Sequence, residues 1–217
     1  MLATRSWTGY ELTQQVRRSL RFIWPVSEAH LYREQKRLVD LGWATVEQEA
    51  AGERSRNRYT ITSAGRAALT EWLATEPDEP HFQIEGVLRT FYGNNASTDS
   101  LVGATQATAA SAREMLDDML GFVDEYLAQD GPLAMLEAGT AGRFRGRQMY
   151  PDRLPVVAMA IDVTTRLLET LDDFFTAASD EIALWPSPTD SSITTATRER
   201  LEAIRDRNAH RAATPAQ

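Results

Sequence analysis

Residues Ser27 to Trp43 form one short helix with both ends written into the sequence, and few folds accommodate what surrounds it. Ser27 can accept from the first free backbone N–H groups, Glu28 suits the positive end, and Gly42 permits the left-handed turn that stops the helix. Advancing 100° per residue groups Leu31 and Leu38, flanked by Gln35 and Leu41, and sets Ala29, Arg33, Lys36 and Asp40 on the opposite side. One face docks and the other offers cations. An isolated helix of this kind is usually just solvated, so its neighbours in the chain decide its meaning.

Upstream, Thr8-Gly9-Tyr10-Glu11 has the spacing of a capping box, and Leu12, Val16 and Leu20 follow at helical intervals, predicting a helix over about 9–21. Pro25 disfavours helix at Trp24, so the two helices are joined by a short turn. Downstream, Trp43 to Glu49 and Tyr59 to Thr62 read as two strands, with a loose tip over 53–58 that places Arg54, Arg56 and Arg58 two apart, on one side of an extended backbone. Thr62 or Ser63 then caps a third helix carrying Ala67, Leu69, Trp72 and Leu73. Helix, turn, helix, hairpin, helix is the order of a winged helix-turn-helix, and the Pro/Asp/Glu stretch over 76–80 marks its end.

The expected organisation is therefore mostly α: a winged helix-turn-helix with a two-stranded wing over 1–76, a helical dimerisation and effector domain built from antiparallel long helices over 77–186, and a polar, partly disordered tail over 187–217. Phe82 to Tyr92 reads as a helix with Ile84, Val87, Leu88 and Phe91 on one stripe. Two long helices follow. The seam of the first includes Val102, Thr105, Ala109, Ala112, Leu116, Met119 and Val123, and that of the second Ile161, Thr164, Leu168, Leu171, Phe175 and Ile182, in steps of three and four. From these, Val102, Ala109, Leu116, Met119, Val123, Ile161, Leu168, Leu171 and Phe175 are the candidate dimer interface. Between the helices lies a polar loop with Arg143, Arg145 and Arg147; with Arg153, these either neutralise the acidic helices or bind an anionic effector or second DNA segment. In the tail, Leu201 and Ile204 suit only a short charged helix, and residues from about Ala209 on have too little apolar surface to order themselves.

Charge supports a division of labour. Residues 1–76 carry 11 Lys+Arg against 9 Asp+Glu, a net +2, whereas 77–217 carry 12 against 22, a net −10. The basic reader is local, and the acidic remainder keeps the chain soluble. There is no cysteine, which rules out disulfides, thiolate metal sites and a Cys nucleophile. His30, His81 and His210 are scattered, so no metal or cofactor is expected, and Asp117-Asp118 and Asp172-Asp173 fall at outward positions as solvated helix faces. No Gly-rich phosphate loop and no nucleophile with a base is present, which argues against an enzyme. The longest mostly apolar run, 154–161, is far below a membrane span, and the expected location is the cytoplasm.

The blocks Gly9-Tyr10-Glu11-Leu12, Trp24-Pro25-Val26-Ser27, Leu31-Tyr32-Arg33-Glu34, Leu38-Val39-Asp40-Leu41-Gly42, Tyr59-Thr60-Ile61-Thr62 and Gly65-Arg66-Ala67-Ala68-Leu69 occur in an order and spacing that resembles the PadR-like transcriptional regulators, and the helical remainder is similar to that of their larger subfamily. The resemblance implies a homodimeric winged-helix repressor released by a small molecule. Independently of it, a helix fits the major groove of B-DNA, where Arg33 and Lys36 would reach base edges while Ser27, Tyr32 and Arg37 bond phosphates. Arg54, Arg56 and Arg58 would track the backbone or enter the minor groove. Tyr10 joins the phosphate contacts by resemblance. The expected partners are pseudo-palindromic promoter DNA, a second copy of the chain, and an aromatic or cationic effector.

The chain departs from the family at its start, where Met1-Leu2-Ala3-Thr4 stands in place of a whole apolar helix. Loss of that helix would expose apolar surface, and the alternative expectation is a truncated winged domain that serves as a dimer scaffold without reading DNA.

Overall fold

The computed structural model describes residues 1–51 and 54–212, with the side chains of 50, 51, 54 and 210–212 excepted. The chain divides into two compact units, Met1–His81 with Leu120–Thr164, and Phe82–Met119 with Thr165–Gln217.

In the first unit, strand β1 (Trp7–Thr8) leads into helix α1 (Gly9–Leu20), followed by α2 (Glu28–Asp40), the strands β2 (Ala44–Ala51) and β3 (Arg54–Ile61), and α3 (Ser63–Ala74). The predicted capping box forms: Thr8 Oγ1 accepts from the Glu11 N–H at 3.2 Å, and the Thr8 N–H donates to Glu11 Oε2 at 2.9 Å. Helix α2 starts at the Ser27 cap and ends in a left-handed turn at Gly42, φ 72°, with the Gly42 N–H bonded to Val39 O and the Trp43 N–H to Leu38 O. A threonine hydroxyl ties this turn to the sheet, Thr62 Oγ1 donating to Gly42 O at 2.7 Å.

The strands are longer than their apolar residues suggest. β2 and β3 pair antiparallel from Ala44↔Ile61 to Ala51↔Arg54, so Arg54 to Arg58 belong to the ladder and not to a loose tip. Pairing fixes them because each residue added to a hairpin satisfies further backbone groups. β1, too short to show a periodicity, pairs with the outer side of β3 through Trp7↔Tyr59 and Thr8↔Arg58, giving the order β1-β3-β2. The core of the winged region is Leu2, Trp7, Leu12 and Ala44, against which Met1, Val16, Leu38, Val39, Tyr59 and Ile61 pack. Leu2 and Trp7 therefore cover apolar surface near the chain start. Leu41, expected on the docking face of α2, is exposed; the turn at Gly42 swings it out, and Val39 packs in its stead.

The first unit also holds the C-terminal part of α5 (Thr98–Leu127), α6 (Pro132–Glu137), a hairpin of β4 (Arg143–Phe144) and β5 (Arg147–Gln148), and the start of α7 (Leu154–Ile182). The expected polar loop is thus partly structured. Arg145 (φ 49°) and Gly146 (φ 76°) make its tight turn, and Arg143 closes it by donating to Gly146 O at 2.7 Å.

In the second unit, α4 (Glu85–Phe91) begins later than its apolar stripe implies, and Val87, Leu88 and Phe91 are exposed; the helix is held instead by close approach, its Gly86 lying against Thr108. Leu101 of α5 packs with Ala178 and Ile182 of α7, alongside Val102 and Trp185. Arg113 forks onto Asp172 at 2.6 and 3.0 Å, so Asp172 is a paired, mostly covered carboxylate and not part of a solvated face. Helix α8 (Thr194–Ala212) is longer than the short one expected, since no Gly or Pro interrupts its Ala-, Arg- and Glu-rich run. No helix of the described residues is long and apolar enough to cross a membrane.

Candidate nucleic-acid interface

Helix α2 carries its apolar residues Leu31, Leu38 and Val39 half-buried, while Tyr32, Arg33, Lys36 and Arg37 are exposed. Its one fully buried side chain is polar. Gln35, 3% exposed, donates from Nε2 to Gly9 O at 3.1 Å and to Thr13 Oγ1 at 3.2 Å, and Thr13 Oγ1 in turn donates to Gly9 O at 2.9 Å. This buried network fixes the rotation of α2 against α1, because slipping the helix would strand three polar groups. It thereby sets which residues of α2 face outward. On the outer face, Arg37 lies 3.6 Å from Glu34 and His30 lies 4.0 Å from the same carboxylate, whereas Arg33 and Lys36 extend into solvent. Arg17 of α1 pairs with Glu28 at the start of α2, bracing the turn between them.

The wing arginines separate into different environments. Arg58 turns back into the fold: Nη2 donates to Glu49 Oε2 at 2.7 Å, and Nη1 lies 3.4 Å from Ser6 O and 3.8 Å from Glu11. The Glu49 bond raises its pKa, and the Glu49 and Glu11 charges add to that against the opposing effect of burial. Arg56 is exposed, and the Arg54 side chain lies outside the described residues. Glu11 answers Arg58: burial pushes its carboxyl up, but the Thr8 bonds and the charges of Arg5 and Arg58 outweigh this and hold it below the usual range.

A concavity of about 500 Å³ opens between the start of α1, α2 and β3, where Tyr10, Tyr32 and Arg56 meet. Tyr10 is 66% and Tyr32 47% exposed. Ser27, by contrast, is engaged as the cap of α2, its Oγ accepting from the His30 N–H at 3.3 Å. Asn57, absent from the expectations because it carries no charge, also lines the concavity. Its position beside Arg56 in an extended segment was the available signal.

The seam residues expected at a dimer interface are covered to different degrees within one chain. Ala109, Met119, Leu168 and Phe175 are buried, and Val102, Leu116, Val123, Ile161 and Leu171 are half-buried. Periodicity finds a packing face but does not name its partner. Each arginine of the 143–153 group also has a protein acceptor or ion pair: Arg147 donates to Glu125 at 2.8 Å, Arg145 lies 3.5 Å from the same carboxylate, and Arg153 donates to Thr4 Oγ1 at 3.2 Å.

Comparison with known proteins finds a match over residues 1–71 to the model of the "Transcriptional regulator PadR-like family". The chain is 32% identical to the probable transcriptional regulator Rv1176c of Mycobacterium tuberculosis over 178 residues, covering 74% of this chain and 93% of that protein. Among solved structures it is similar to smu.1604c of Streptococcus mutans (TM-score 0.65, 16% identity, 82% of this chain and 92% of that one). Bacillus subtilis PadR resembles it both in complex with operator DNA (TM-score 0.61, 17% identity, 83% and 94%) and in complex with p-coumaric acid (TM-score 0.55, 16% identity, 83% and 93%).

Proposed function

The chain belongs to the PadR-like family of transcriptional regulators, which are not enzymes, and from that premise we propose that it is a sequence-specific DNA-binding repressor acting as a homodimer and released by an aromatic small molecule. The observation that carries the reading is the exposed pair Arg33 and Lys36 on a helix whose rotation is locked by the buried Gln35. Both side chains can extend about the reach needed to meet guanine O6 and N7 in the major groove.

Arg56 and the two tyrosines Tyr10 and Tyr32 then contact the sugar–phosphate backbone, which sets register. Arg37, held near Glu34, and Ser27, engaged as a cap, contribute less. Arg58 supports the wing rather than touching DNA. The homodimer buries apolar side chains that one chain leaves exposed on α7, among them Val156, Met159 and Val163. Support for an effector comes from the p-coumaric acid complex of Bacillus subtilis PadR.

Selection of bound duplexes from a random pool, followed by footprinting, tests the reading. A pseudo-palindromic site should emerge, and Arg33→Ala with Lys36→Ala should abolish its preference over other sequences. A footprint unchanged in the double variant refutes the assignment of α2.

A further inference from the structure

The concavity between α1, α2 and β3 has a chemistry of its own. Its floor is Gly9: a Cβ there would stand 2.8 Å from Gln35 Oε1, 3.5 Å from Tyr59 Cε2 and 3.6 Å from Tyr32 Cε1. Its lining includes Tyr10, Tyr32, Arg56 and Asn57, whose hydroxyl, guanidinium and amide groups can all donate, beside Thr8 and Tyr59, and no carboxylate lines it. Gln35 Oε1 is buried at this floor without a protein partner, because Nε2 of the same side chain is committed to Gly9 O and Thr13 Oγ1 and holds the amide in place.

We infer that this concavity is the seat of one DNA backbone phosphate per half-site, gripped by Tyr10, Tyr32, Arg56 and Asn57. The inference rests on the DNA-reading proposal. With α2 in the major groove and the wing at the neighbouring minor groove, the strand between the two grooves has to cross the surface separating α2 from β3, where the concavity lies. A phosphodiester offers only acceptors, which these donors fit. Gln35 Oε1, itself an acceptor, is shielded below the floor of the concavity and is not presented to the phosphate. Gly9 is the residue that keeps room for this arrangement, and Asn57 becomes a DNA-positioning residue.

The test uses the duplex obtained by selection, with single phosphates replaced in turn by uncharged methylphosphonates, against the full-length protein and its Asn57→Ala and Gly9→Ala variants. Thermal melting checks that each variant is folded, and Asn57→Ala carries the test should Gly9→Ala fail to fold. The expected result is one phosphate per half-site whose neutralisation weakens the unsubstituted protein about tenfold and Asn57→Ala far less, a non-additivity that marks direct contact. If the protein binds its selected duplex but every methylphosphonate acts equally on it and on Asn57→Ala, the phosphate seat is wrong while the reading of α2 stands. If no duplex is selected at all, both fall.

Discussion

Arg18 of α1 and Arg147 of the β4–β5 hairpin share one carboxylate, that of Glu125, at 3.0 and 2.8 Å, although 107 residues of chain separate Arg18 from it. Arg18 also lies over the Phe122 ring, which meets Phe22 edge-on. The reading head is thereby tied to α5 at one half-buried point, with Tyr126 beside it, whose phenol burial pushes upward in pKa.

Replacing that carboxylate by a neutral amide leaves the guanidinium groups of Arg18, Arg145 and Arg147 without a counter-charge. Glu125→Gln should cost about 1–2 kcal/mol in urea unfolding, given partly exposed but shared charge-assisted bonds. In a cycle with Arg147→Ala the two losses should fall short of adding; strict additivity would show the pair to be inert.

Arg56 and Arg58 should part company on substitution. Arg56→Ala should reduce the slope of log affinity against log salt by about one without moving the melting temperature, because it removes one released counterion contact. Arg58→Ala should instead lower stability by about 1 kcal/mol through the loss of Glu49 and Glu11, and leave the salt slope unchanged. The reverse pattern would exchange their roles.

Gly65 is built against backbone: a Cβ there would lie 2.1 Å from Trp43 O and 2.9 Å from Ile61 Cγ1. Gly65→Ala must push α3 away from the base of the wing, at a cost of about 1–3 kcal/mol. Equilibrium unfolding measures it, and an unaltered midpoint contradicts the packing described.

Acid should weaken the start of α1. Glu11 is held below the ordinary carboxylate range in the folded chain, so its contribution is complete above the unfolded pKa and disappears as pH falls through the folded one. Unfolding measured from pH 7 down to about pH 3 should show a loss of stability on that descent that Glu11→Gln lacks. Identical slopes would mean that the capping box is not coupled to ionisation.

Met159, 74% exposed on α7, should be central to self-association. Met159→Glu should yield monomers in sedimentation and DNA binding weakened at least about tenfold, since two half-sites would no longer be bound together. A dimer that survives the substitution would place the interface elsewhere.

Much of the reading head is legible in the sequence because its signals are local. Thr8 with Glu11, Ser27 and Gly42 each act within a turn of helix, and the structure puts the caps where they point. What was not legible depends on partners distant in sequence. β1 has two residues and exists only because β3 lies beside it. Arg54, Arg56 and Arg58 look alike as a triplet, yet Arg58 reaches diagonally across the ladder to Glu49, which the register sets opposite Arg56, and that contact distinguishes it. The seam through Ala109 and Phe175 announces burial without stating that the same chain supplies the cover. Gln35, read as a flank of the docking face, turns out to be its anchor, since a buried amide is recognised only once Gly9 and Thr13 are seen around it.

Among the described residues the order β1-β3-β2 leaves β2 at the margin of the sheet, with no strand paired along its outer side. Such a margin invites a further strand from another molecule. Here it carries Glu47 and Glu49 in alternation, so a second β2 laid alongside would bring carboxylates against carboxylates. Glu49, which steadies Arg58, thus also helps, with Glu47, a winged domain to reach high local concentration on DNA without fusing edge to edge into aggregates.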